Sequence, residues 1–188
     1  MRWRRLDVPG TEEASVEATT GGWRLAGELH VTEAGIAARL GYEIACDECW
    51  RTRAARVVGE AGGTPVRLDL DADGAGRWST GGRRVPALDG ALDVDLGFTP
   101  ATNLLPIRRL ALAVGGTAPV RTAWFRFPEL RLEILDQRYT RLSTRAYRYE
   151  ALVDAAPFSA RLDTDAYGRV MRYEGLWEAE LMEPGDGE

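Results

Sequence analysis

Apolar and polar residues alternate along most of this chain with a period of two, the spacing at which strand side chains return to the same face. In VRLDLD, Val66, Leu68 and Leu70 share one face while Arg67, Asp69 and Asp71 share the other. ELRLEIL sets Leu130, Leu132 and Ile134 against Arg131 and Glu133. FSARLD sets Phe158, Ala160 and Leu162 against Ser159, Arg161 and Asp163, and GWRLAGELHV and GIAARLGYEIA behave in the same way. No long window carries apolar residues at i, i+3, i+4 and i+7, so long helices are not expected.

Between these runs stand TTGG, TEAG, EAGG, DADGAG, STGG, VGG and DTDAYG, which supply the Gly and Asp that tight hairpins need. Short strands joined by such turns form an antiparallel meander. About a dozen strands in one sheet must coil or close, because twist accumulates across it. The expected fold is all-β: one many-stranded, strongly curved antiparallel sheet, a half-barrel or open barrel with little helix. No linker or internal repeat divides the chain, so residues 1–188 are read as one domain, with 183–188 (EPGDGE) a flexible acidic tail.

One stretch departs from plain alternation: residues 93–110, DVDLGFTPATNLLPIRRL. Read as a strand, it puts Asp93 and Asp95 on one face, about 7 Å apart at Cα. PIRRLALAV reads as a following strand, in which either Arg108 or Arg109 faces an apolar side. A charge there is costly unless paired, and the aspartates are the nearest partners for a forked guanidinium. The intervening loop is stiffened by Pro100 and Pro106. Its Thr99, Thr102 and Asn103 suit local backbone hydrogen bonds, and if Asn103 caps a helical turn, Pro106 falls within the first turn.

Charge and composition remove several function classes. The formal net charge is −5, and all 24 basic residues are Arg, scattered among the strands without a concentrated patch. Nucleic acid is therefore not an expected partner. No run approaches the roughly 20 apolar residues of a transmembrane helix, and MRWRRLDVPGTEEA lacks the apolar core of a secretory signal, so a cytoplasmic location is expected. Cys46 and Cys49 form a CxxC at a strand end rather than at the start of a helix, and His30 is the only histidine. Neither a metal nor a cofactor is expected. The aromatics Tyr42, Trp78, Trp124, Tyr139, Tyr147 and Tyr149 fall within strands, where they fill a core or line the concave side of a curved sheet.

The 93–110 stretch resembles the signature of the bacterial family named for Putative glycolipid binding, first catalogued as a domain of unknown function. The matching residues are Asp93, Asp95, Thr99, Pro100, Thr102, Asn103, Leu105, Pro106, Ile107, Arg108, Arg109 and Leu110. GYEIACDECWRTR (41–53), GAGRW (74–78), LDQRYTRLSTRAYRYE (135–150) and DTDAYGRV (163–170) extend the resemblance over most of the chain. It implies a half-barrel similar to the Lol-type lipoprotein carriers, which hold acyl chains on a concave face.

On that basis the leading expectation is non-catalytic binding of a glycolipid or other amphipathic lipid. Asp93, Asp95, Asn103, Arg108 and Arg109 would contact the polar head, and the aromatics would line the groove. The competing reading of those five residues is an internal network that pins the bend. An enzyme acting on a lipid or sugar conjugate through the two acids and two arginines is the alternative from another class, although no G-x-S-x-G elbow, P-loop or His-based metal motif accompanies them. A partner-binding module using an exposed sheet edge is the third.

Overall fold

The computed structural model describes residues 1–180; the acidic tail expected over 183–188 lies outside the described residues. The first half of the chain forms β1 (Arg2–Arg5), β2 (Gly10–Thr19), β3 (Gly22–Glu33), β4 (Ile36–Asp47), β5 (Thr52–Ala61), β6 (Thr64–Ala72), β7 (Trp78–Thr80) and β8 (Arg83–Arg84). The second half forms β9 (Asp93–Leu96), β10 (Thr117–Arg126), β11 (Arg131–Ser143), β12 (Ala146–Val153), β13 (Ala156–Thr164), β14 (Val170–Tyr173) and β15 (Trp177–Glu180). All belong to one open, curved sheet of 15 strands, with β8 at one edge and β9 at the other. β1–β8 and β10–β15 are each a meander, and the two join at mid-sheet where β1 pairs antiparallel with β15.

Period-two patterning accounts for the strands. In β4, Ala38, Leu40, Tyr42, Ile44 and Cys46 are buried, and Ala37, Arg39 and Glu43 are exposed. The all-β, strongly curved sheet expected from the sequence is the one observed, with two local departures. Residues 106–114 do not make a strand. Leu104–Leu110 form the helix α1, entered through a 3-10 turn at Ala101–Asn103 and closed by Ala111 in the left-handed region. Pro106 lies in the first turn, where its missing N–H leaves no bond unmade. A helix of two turns is too short for its periodicity to outweigh the alternation of LALAV. As a consequence β9 and β10 are not a hairpin but a parallel pair joined by α1, in the register Asp93↔Thr122 to Leu96↔Phe125.

The parallel crossover brings the chain into the concave side of the sheet. β9 stands between the two halves: the Thr52 N–H donates to the Leu92 carbonyl, and the Thr52 hydroxyl accepts from the Val94 N–H, both at 3.0 Å. On one side Val94, Leu96 and Phe98 pack with Leu29, Leu40, Ile44 and Leu70 in the larger core. On the other, Ile107 packs with Val120, Leu135, Tyr139, Tyr149 and Leu162. The segment thus fills the interior and covers part of the β9 edge, which would otherwise be open to pairing.

A buried polar knot holds this plug against the first half. Glu12 of β2 is 1% exposed, and its Oε1 accepts from the Tyr42 hydroxyl at 2.6 Å and the Thr99 hydroxyl at 2.5 Å. Its Oε2 has no partner among the described residues. Tyr42 reaches Glu12 across Gly27, where a Cβ would lie 2.6 Å from the phenol oxygen; a side chain at 27 would displace the ring.

Burial raises Glu12 from its ordinary 4.5 to about 7, against the smaller lowering effect of its two hydroxyl partners. Between pH 4.5 and 7 the unfolded chain has released this proton and the folded chain has kept it. Stability from this group is therefore fully present below 4.5 and is lost as pH rises to 7, by about 3 kcal/mol. Glu12→Gln removes the titration, so its urea-unfolding free energy is expected to change less between pH 5 and 7 than that of the parent chain. An unchanged slope would show that Glu12 is not the group responsible.

Candidate functional site

The side of β9 that faces α1 carries the polar residues of the 93–110 stretch. Strand alternation directs Asp93 and Asp95 there, while Val94 and Leu96 face the larger core. Asp93 is fully buried. Arg109, on the last turn of α1, forks onto it with Nε at 3.0 Å from Oδ1 and Nη2 at 2.6 Å from Oδ2. Burial raises Asp93 above the usual carboxylate range, and the Arg109 guanidinium opposes that shift. Asp95 accepts from the Gln137 side-chain amide at 2.5 Å, and the same amide reaches the Thr122 hydroxyl at 3.2 Å. Burial pushes Asp95 up to about 6, which the hydrogen bonds from Gln137 and Thr102 only partly offset.

Asn103 completes the cluster. Its side-chain carbonyl accepts from the Tyr139 hydroxyl at 2.7 Å, and its amide donates to the Pro100 carbonyl at 3.1 Å. The Tyr139 ring meets Tyr149 edge-on at 5.4 Å, and Tyr149 in turn meets Phe158 and Tyr173. The carboxylate of Asp95 contributes to raising the phenols of Tyr139, Tyr149 and Tyr173, although burial is the largest cause for each. The structure therefore brings Asp93, Asp95, Asn103, Arg109, Tyr139 and Tyr149 into one neighbourhood.

The other residues singled out in the sequence lie elsewhere. Arg108 points away from the aspartates, with its guanidinium carbon 4.7 Å from the Tyr167 ring centre and 5.3 Å from that of Trp50. Tyr147 lies near it, beside Arg141. Tyr42 is in the Glu12 knot, and Trp78 is enclosed in the larger core with its indole N–H donated to the Ala91 carbonyl at 2.9 Å. Trp124 lies beneath Arg126, 5.2 Å from its guanidinium. Cys46 is buried and Cys49 exposed, both as free thiols, and burial pushes the Cys46 thiol up to about 12, away from reactive thiolate. Among the described residues no helix is long and apolar enough to cross a membrane.

Gln137, Glu12, Trp50 and Tyr167 are the residues that the sequence did not mark out. Gln137 occupies an inward position of β11, where a polar residue breaks the apolar alternation, and this was the available signal. Trp50 and Tyr167 sit in turns. In each turn an aspartate side chain, Asp47 or Asp165, accepts backbone N–H groups two to four residues on.

Beside the cluster an open groove of about 740 Å³ runs over β10–β13. Arg109 and Gln137 reach it from the polar cluster, and Val120, Ala151, Leu152, Pro157 and Phe158 give it an apolar wall. Leu152 is 66% exposed, the most exposed of the large apolar side chains. A larger depression of about 1020 Å³ lies over β2–β5, but its charges are already matched, with Arg24 paired to Glu43 and Glu17.

The profile of the family described as Putative glycolipid-binding matches residues 1–179, nearly the whole chain. A crystal structure of a DUF1089 family protein from Pseudomonas aeruginosa is similar at 34% identity with a TM-score of 0.80, over 90% of this chain and 92% of that one. No curated protein matches the chain. These likenesses agree with the resemblance drawn from the 93–110 motif.

The Asp93–Arg109 pair sets a stability expectation. Arg109→Met leaves Asp93 buried without its counter-charge and is expected to cost about 3–5 kcal/mol in urea unfolding. Adding Asp93→Leu should recover much of that loss, since a matched apolar pair carries no desolvation cost. A double variant no more stable than Arg109→Met would rule this account out.

Proposed function

Since the chain belongs to the Putative glycolipid-binding family, we propose that it binds a glycolipid or similar amphipathic lipid, without chemistry, in the groove over β10–β13. The observation that carries this reading is the two-sided character of the groove. One wall is apolar and includes the exposed Leu152; the floor presents Arg109 and Gln137. Both floor residues are held in place by internal partners, Asp93 and Asp95. A sugar hydroxyl both donates and accepts, which suits the amide carbonyl of Gln137 and the unused donors of the Arg109 guanidinium. An apolar chain segment against Leu152, Pro157 and Phe158 would remove from water a surface that is otherwise costly to expose.

In this reading the polar cluster serves two ends. Asp93, Asp95 and Asn103 are committed to internal partners and fix the geometry, whereas Arg109 and Gln137 meet the head group. Phe158, backed edge-on by the buried Tyr149, lines the groove as a platform for a sugar ring.

Native mass spectrometry of the gently purified protein, followed by solvent extraction, tests the reading directly. A stoichiometric lipid is the expected result. With a lipid in hand, Leu152→Asp is expected to weaken binding by roughly tenfold, the effect of about 1.4 kcal/mol, without altering the unfolding midpoint of so exposed a position. An extract without lipid, together with no uptake from a panel of labelled glycolipids, would sink the proposal.

A further inference from the structure

A second pocket, of about 260 Å³, lies at the far end of α1, enclosed by the turn at residues 164–168 and by β11 and β12. It is independent of the groove and of the lipid reading. Its construction begins at Gly168, which has φ +100 and whose missing Cβ would lie 3.0 Å from Ile107. That close approach lets the turn lie on α1 and sets the Tyr167 ring over Arg108. The other ring near Arg108 is Trp50, itself stacked on Trp23 at 4.6 Å.

The charges in this pocket are unmatched. Arg108 forms no ion pair among the described residues; it makes one long hydrogen bond, to the Tyr167 carbonyl at 3.3 Å, and its Nε is buried without a partner. Arg141 likewise has no carboxylate partner, and is fixed by the carbonyls of Leu112, Ser143 and Thr144 at 2.6–3.2 Å. The Tyr147 ring lies 5.7 Å from the Arg141 guanidinium, and its hydroxyl has no hydrogen-bond partner among the described residues. Asp165 is the one acid lining the pocket, and its charge is spent on the N–H groups of Tyr167, Gly168 and Arg169 and on the Arg169 side chain. Elsewhere arginines such as Arg5, Arg56, Arg121 and Arg126 have carboxylates. Here two half-buried guanidinium groups converge on a cavity with no carboxylate to spare.

We propose that this pocket binds a small oxyanion, a phosphate or carboxylate group, between Arg108, Arg141 and the Tyr147 hydroxyl. Guanidinium groups bind such anions through paired N–H donors, and the adjacent Tyr167 and Trp50 rings hold Arg108 ready at little entropic cost. Such a group has two sources, a free anion or the head of an anionic lipid.

Titration of the full chain with inorganic phosphate at constant ionic strength, read by calorimetry, tests the site. Saturable binding is expected, about tenfold weaker in Tyr147→Phe and lost in Arg108→Gln. Tyr147→Phe removes a single unpartnered oxygen and keeps the ring, so it remains informative where Arg108→Gln does not fold. Short-chain phosphatidic acid below its micelle concentration separates the sources. Tighter binding than phosphate through the same residues assigns the anion to a lipid head, and equal binding assigns it to a free anion. No saturable binding of either, or binding that both variants leave unchanged, overturns the proposal.

Discussion

The interior of this protein is organised by the buried pairing of Asp93 with Arg109. A sheet that curves without closing leaves a concave side that must be filled or exposed to water. Here it is filled by the chain itself: β9 runs parallel to β10, α1 returns over it, and the guanidinium of the helix grips the carboxylate of the strand. The paired charges gain little net stability over an apolar pair, because desolvation offsets most of their attraction. What they do is discriminate. A register slip of one residue in β9 would turn Asp93 toward Leu29 and Leu40 and leave both ions unpaired, so other placements of the plug are strongly disfavoured.

From that arrangement follow the positions of the remaining polar groups. With β9 fixed, Asp95 must meet Gln137, Asn103 must meet Tyr139, and Thr99 must reach across to Glu12 on the opposite half. Each of these bonds joins elements far apart in sequence. The polar network therefore reports on the tertiary fold as a whole, and the groove beside it inherits walls that are already rigid.

The strands could be read from the sequence because burial on one face forces alternation, most plainly in β4, β12 and β13. The half-helix after Asn103 could not, since Ile107, Arg109, Ala111 and Ala113 also satisfy a period of two. Nor could a local pattern reveal that β9 is parallel, a fact that depends on where α1 sends the chain. Among the site residues, the pairing of an arginine with an aspartate was foreseeable from the cost of an unpaired charge. Which arginine would be used was not: α1 separates Arg108 from Arg109 by one helical step, and so assigns them to different pockets. Tyr167 and Trp50 belong to turns whose shared partner, Arg108, lies more than fifty residues away, beyond what spacing can convey.

The seam where β1 lies beside β15 makes the first and last described strands neighbours at the middle of the sheet. β1–β8 and β10–β15 are runs of hairpins that can zip locally, but the two become one sheet only when residues nearly the full chain apart meet. Closing so large a loop costs chain entropy before any contact repays it. During synthesis β1 has no partner on one side until β15 emerges. The two leaves of the sheet meet along this spine, and a chain cut short of Trp177 would leave it open to other strands.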